Sequence, residues 1–413
     1  MTSRERVLAA LNHQQPDRIP VDLSGYRSSG ISAVAYPKLR AALGLPPRSI
    51  DVYDPVQQLA ICHDDVLDIF GVDTIELGRG FCHEDKWWSP WVLPDGTACR
   101  MPAWALPERA GDEWIMRSPT GRAIARMPAG GLHFDQVYWP FLDGAEDLTQ
   151  IEQLYPEHMW TGIASPPGPS VSSAEELAAG ARALRASTSR AILGLFGGNL
   201  LEMGQFYYRM DNFLMLLAGE PERAHRFLDA LVEIHMRNLE KFLGAVGPSI
   251  DVIVFGDDLG AQNSPQISPR MYREFFKPRH QALWARAKQL APHIKVMLHC
   301  CGAVRPLLAD LIEAGLDAIN PVQISCRGME ADGLKRDFGR DLTFWGGGCD
   351  TQRILPCGTP AEVREHTLRQ CEVLAPSGGF IFQQVHNIMA NVPPENILAM
   401  YAAVREFNGK SGN

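Results

Sequence analysis

The segment KVMLHCCGAVRPLL, residues 295–308, ends an apolar run on His299, Cys300, Cys301 and Gly302. Side chains two residues apart on an extended strand share a face, so His299 and Cys301 form a two-ligand claw while Cys300 turns the other way. A third ligand must then come from elsewhere. Cys349, in LTFWGGGCDTQ, closes another apolar run after three glycines that let backbone and ligand approach closely. One imidazole and two thiolates suit zinc, with a fourth position open to substrate. The plain alternative is that strand cysteines are small core hydrophobes, and the coincident placement of the third cysteine favours the metal. Cys300, Cys326, Cys357 and Cys371 read as structural.

Other chemistry-bearing residues fall at the ends of apolar runs. In FGDDLGAQ (255–262), Asp257 and Asp258 could position a substrate, serve as general base or orient His299; a helix cap or loop ion pair would explain them as well. Glu202, in GGNLLEMG, could offer a carboxylate to the open zinc position or simply face solvent. His386, in QQVHNIM, could contact substrate or cofactor, or be a satisfied structural histidine. Asp257 and His386 are the candidate catalytic groups, and Glu202 and Asp258 the candidate substrate-binding groups.

These residues need strands that end at one place. From residue 190 onward, short apolar runs alternate with amphipathic segments: strands are expected at 191–197, 251–258, 295–301, 317–323, 342–349 and 379–387. Two more, 19–23 and 73–77, bring the count to eight, the number of a TIM barrel, whose chemistry sits at the C-terminal ends of its strands. The Trp- and Pro-rich stretch from about 80 to 165 breaks the rhythm. Its PDGTA and SPTGR turns predict a small β-rich insertion over one end of the barrel, so residues 1–413 are expected to form a single domain with that insertion. With 46% hydrophobic residues, 21% charged and a net charge of −9, the chain is expected to be an ordinary globular protein that does not bind nucleic acid. No run of 18 apolar residues exists to cross a bilayer. The amphipathic start lacks the apolar core and cleavage site of a signal peptide, and nine scattered cysteines suit a reducing compartment, so a cytoplasmic location is expected.

The segments RERVLAALNHQQPDRIPV, GDDLGAQNSPQISPRMYREFFKPRHQAL, HCCGAVRPLLADLIEAGLDAINPVQ and VPPENILAMYAAVREF together resemble the uroporphyrinogen decarboxylase-like superfamily of TIM barrels. One branch of that superfamily consists of decarboxylases. The other consists of zinc-dependent methyltransferases that work with corrinoid proteins and carry His-x-Cys plus a distant Cys, a pattern that His299, Cys301 and Cys349 match. The decarboxylase pattern is met less well: after its RIPV strand, RIPVDLSGYRSSGISA offers only Arg27 where an arginine-rich stretch is expected, and no aspartate ends DTIELGRG.

The resemblance thus implies a zinc methyltransferase that moves a methyl group between a small methylated substrate and the cobalt of a corrinoid (cobalamin) cofactor. An O-methyl compound such as an aromatic methyl ether is the favoured substrate. The D-x-H-x-x-G signature of corrinoid-binding modules is missing, so the corrinoid is expected on a partner protein. A decarboxylase of the same fold and a non-catalytic zinc-binding protein are the alternatives, and a homo-oligomer is left open.

Overall fold

The computed structural model describes residues 1–142, 146–163 and 165–410. Its centre follows from the two-residue alternation of β-strands. Ala191, Leu193, Val252, Val254, Met297, Ala318, Trp345 and Ile381 form one buried cluster. Their strand neighbours Ile192, Ile253, Val296, Leu298, Ile319, Phe344 and Phe380 belong to a second, larger cluster shared with the surrounding helices. One set fills the inside of a barrel and the other glues the helices to its outside.

The strands Thr74–Glu76, Ala191–Gly197, Val252–Gly256, Lys295–His299, Ala318–Asn320, Thr343–Trp345 and Phe380–Ile381 pair in that order as a parallel sheet. The segment around Val21 closes it. Val21 forms a parallel bridge to Phe382, the Asp22 N–H donates to the Phe382 carbonyl at 2.8 Å, and the Asp73 N–H donates to the Val21 carbonyl at 2.8 Å. All eight expected strand positions are therefore occupied in a TIM-like α/β barrel. No helix among the described residues is long and apolar enough to cross a membrane.

The first helix, Ser3–Leu11, starts with a capping box between Thr2 and Glu5. It places Val7, Ala10 and Leu11 in the inner cluster and so stoppers the N-terminal end of the barrel. Ion pairs fix it there. Buried Arg6 pairs with Asp17 at 2.6 Å and with the fully buried Asp73 at 2.7 Å, and Arg18 reaches the same Asp73 carboxylate at 2.9 Å.

Within the Trp-rich segment, Trp88–Val92 and Ala98–Pro102 form one antiparallel pair. Glu108–Ala110, Glu113–Arg117, Ala123–Met127 and Asp135–Gln136 form a four-stranded antiparallel sheet. Gly96 and Gly121 have φ of 89° and 85°, which explains the glycine at each of the two expected turns. Residues 143–145 and 164 of this segment lie outside the described residues. Met116, Ile124, Met127 and Phe134 pack around Val56, and the Phe134 N–H donates to the Val56 carbonyl at 3.0 Å, so the small sheet is seated on the loop between Val52–Asp54 and Leu59–Ala60.

Removing Arg6 strips one partner from a buried carboxylate. Arg6→Ala is expected to cost about 3 kcal/mol, whereas Arg336→Ala, which removes an exposed pair with Asp337, should cost less than about 1 kcal/mol. The midpoints of urea denaturation of the two variants check this.

Candidate metal centre

The strand Lys295–His299 puts Met297 inside the barrel, and the same parity carries His299 and Cys301 to its open end. The Cys301 Sγ lies 3.5 Å from His299 Nε2. Cys300 points the other way into the outer core, where its Sγ accepts the Leu259 N–H at 3.3 Å. The structure thus separates the three residues as strand alternation predicts. His386 arrives from beyond the last strand. Its φ of 65° and a 2.8 Å hydrogen bond from the Asn387 N–H to its Nδ1 turn the ring toward His299, with ring centroids 5.3 Å apart. Ligand atoms of His299, Cys301 and His386 all lie within 4.8 Å of one another, and all three side chains are half-buried.

The proton of His299 is held by its neighbours. Asn320 donates both amide hydrogens, to the Trp345 carbonyl at 2.8 Å and to Gln383 Oε1 at 2.6 Å. Its oxygen therefore faces His299 Nδ1, 2.9 Å away, and the Tyr26 hydroxyl, which also donates to it. With an acceptor at Nδ1, the imidazole carries its proton there and leaves Nε2 free on the Cys301 side, the arrangement that orients metal-binding histidines.

Asp258 stands beside this pair. Its Oδ1 accepts the Cys301 N–H at 2.7 Å and lies 3.7 Å from His299 Nε2. Burial and then the Asp258 charge push the Cys301 thiol well above its ordinary value. Burial, with smaller contributions from His299 and His133, holds His386 down to about 3. Two imidazoles, that of His386 held neutral by burial, and a thiol whose ionisation awaits a positive charge make a receptive site for a metal ion. His133 belongs to the inserted segment, so the insertion reaches this end of the barrel.

Cys349 does not join the group. It is fully buried in the outer cluster, where its Sγ lies 3.9 Å from the Asp350 carbonyl and burial pushes the thiol up to about 12. The expectation of a third ligand here fails because Gly346 and Gly347 have φ of 120° and 73°, which breaks the alternation that places Trp345 inside. These glycines serve close packing instead: a Cβ on Gly346 would lie 2.1 Å from the Pro321 carbonyl oxygen. Asp257 is also turned away. It is fully buried and accepts the N–H groups of Leu200, Leu201 and Glu202 at 3.0–3.2 Å, capping the helix Leu201–Tyr208, with His280 Nε2 3.3 Å off. Glu202 sits behind Asp258, its Oε2 accepting from the Asp258 N–H at 3.0 Å and Asn199 Nδ2 at 2.6 Å. Burial, followed by the charges of Asp258 and Asp257, pushes its carboxyl well above the usual carboxylate range. Sequence reasoning missed Asn320, Tyr26 and His133 altogether.

Residues 182–407 match the family model described as Uroporphyrinogen decarboxylase (URO-D). No curated protein matches the chain. Among solved structures, a methyltransferase from Methanosarcina mazei superposes with a TM-score of 0.59 and 16% identity over 98% of this chain and 99% of that one. An endo-1,4-beta-xylanase from Caldicellulosiruptor owensensis shares 13% identity over 42% of this chain and 69% of its own, with a TM-score of 0.28. The methyltransferase shares the fold from end to end. Because the family match takes in more than half of the sequence, including His299, Cys301 and His386, the chain belongs to the uroporphyrinogen decarboxylase (URO-D) family.

Proposed function

We propose that the protein is a zinc-dependent methyltransferase that moves a methyl group between a small O-methyl compound, such as an aromatic methyl ether, and the cobalt of a corrinoid on a partner protein. The observation that carries this reading is the convergence of His299, Cys301 and His386 at the open end of the barrel. The donor set fits zinc. A tetrahedral ion bonded to one nitrogen and one sulfur at ordinary lengths needs them about 3.6 Å apart, and His299 Nε2 and Cys301 Sγ are 3.5 Å apart. The end-to-end likeness in fold to a protein described as a methyltransferase supports the same reaction class.

One thiolate and two neutral imidazoles leave zinc with a net positive charge, so it would supply Lewis acidity to a substrate oxygen. The chain's own residues prepare that position. Asn320 keeps the His299 proton on Nδ1. Asp258 fixes the Cys301 backbone, and its carboxylate, about one-third exposed, faces the same end. Because His299, Cys301 and His386 converge at the barrel's open end, a corrinoid partner would have to dock over that end to bring its cobalt to the substrate methyl.

Zinc content and methyl transfer to added Co(I) cobalamin test the reading. About one zinc per chain is expected, with its loss in His299→Ala, Cys301→Ala and His386→Ala and its retention in Cys349→Ala. Full zinc retention in Cys301→Ala and His386→Ala would remove the site, and a zinc-loaded protein that decarboxylates its substrate without demethylating it would reverse the assignment. Asn320→Ala should weaken zinc binding by about 10–100-fold, the usual effect of losing a group that orients a metal-binding histidine. Competition with a zinc-selective chelator measures this. Asp257→Asn should leave zinc in place while lowering the thermal midpoint, because it weakens the cap on Leu201–Tyr208.

A further inference from the structure

The two imidazoles of the trio face it with opposite characters. The Asn387 N–H donates to His386 Nδ1 at 2.8 Å. A ring nitrogen that accepts a hydrogen bond carries no proton, so neutral His386 bears its hydrogen on Nε2, and an imidazolium would set two donors face to face. That Nε2–H bonds to no group among the described residues and is open to solvent, on a half-buried ring centred 5.3 Å from the His299 ring. His299 is the reverse, with its proton on Nδ1 toward Asn320 and its lone pair on Nε2. One ring offers an electron pair and the other a hydrogen-bond donor.

The backbone holds His386 in this state. Its φ of 65° is one that residues other than glycine rarely adopt, and such a conformation persists only where the surroundings enforce it. Here they do. The His386 carbonyl accepts from Gln384 Nε2 at 2.9 Å, the Val385 N–H donates to the Cys349 carbonyl at 2.8 Å, and the Ile388 N–H donates to the Gly30 carbonyl at 3.0 Å. The buried Asn387 amide is fixed at both ends: its oxygen accepts the Gly30 N–H at 2.8 Å and its nitrogen donates to Gln57 Oε1 at 3.0 Å. The Asn387 N–H is thereby kept on Nδ1. For Nε2 to bond a metal ion, its proton must move to Nδ1, where it meets that N–H. Such a shift is not required of His299, which makes His386 the weaker imidazole donor.

We propose that His386 is the exchangeable member of the trio: it cedes its place to the oxygen of the methylated substrate and then donates its Nε2–H to that oxygen. The substrate role rests on the methyl-transfer reading; the tautomer does not. As the methyl–oxygen bond breaks, its electron pair stays on oxygen and the methyl carbon bonds to the corrinoid cobalt, Co(I) becoming Co(III). The His386 N–H keeps its proton while it holds the oxyanion, which takes a proton from water on release. A fixed donor aimed at developing charge stabilises an oxyanion, and a neutral imidazole can serve as that donor.

Long-range 1H–15N NMR of the metal-free full chain reads both tautomers, with His386→Gln and His299→Gln assigning the two signals. His386 should be the Nε2–H form and His299 the Nδ1–H form. A proton on His386 Nδ1 near neutral pH, in either the neutral or the cationic ring, overturns the proposal. In competition with a zinc-selective chelator, His386→Ala should lose about tenfold less affinity than His299→Ala; an equal or larger loss overturns it too. With zinc saturating, methyl transfer from anisole to added Co(I) cobalamin should fall about 100-fold in His386→Leu and recover to within about tenfold of the parent in His386→Gln, which keeps an N–H donor. A parent rate in His386→Leu removes the donor role. Absence of transfer in the parent chain overturns the methyl-transfer reading and the substrate role with it, while the NMR and chelator results still decide the tautomer and the exchangeable bond.

Discussion

The side-chain amide of Asn320 couples the inside of the barrel to its open end. Both of its N–H groups are committed to buried acceptors, so its oxygen can only accept, and that one constraint sets the proton of His299. The network continues around the barrel. Tyr26 joins the same oxygen, Gln383 donates to the Ser28 carbonyl at 2.9 Å, and the Trp345 indole donates to Asp22 at 2.8 Å. Asp22 in turn accepts from the Thr74 hydroxyl at 2.7 Å. A buried network whose members satisfy one another is rigid, because any rearrangement strands a polar group in a low dielectric. The His299 imidazole is thereby attached to strands on the far side of the barrel.

Much of the fold was legible because barrel strands obey a period of two and their helices punctuate them. The same period correctly separated Cys300 from His299 and Cys301. It failed wherever the backbone left the strand conformation. Cys349 follows two glycines in the left-handed region, and His386 itself has φ of 65°, so neither orientation can be counted from the preceding strand. Asp257 and Asp258 show the limit in another form. Both are carboxylates at one strand end, yet one caps a helix and the other holds the Cys301 backbone, a division set by a helix that arrives from a different part of the chain. Asn320 falls inside the expected strand 317–323, and nothing in the sequence singles it out; its role exists only through Trp345 and Gln383.

The barrel and the insertion divide the work between them. Strands supply His299 and Cys301 on a frame whose geometry is shared across the family. The insertion is held to that frame through Val56 and through the Gln57 side chain, which accepts from Asn387 at 3.0 Å, next to His386. Changes in its loops can therefore alter what reaches the barrel's open end without disturbing the strands that carry His299 and Cys301.

The closing bridge between Val21 and Phe382 also sets a timetable. On the ribosome the first strand position waits for a neighbour that emerges near the end of synthesis, on the order of twenty to seventy seconds later at typical elongation rates. His386 emerges with it. Until then His299 and Cys301 stand without the third member of their group, so the full donor set belongs to the finished chain. Premature release would leave a protein with His299 and Cys301 exposed and an unclosed sheet edge, which are marks that quality control can read.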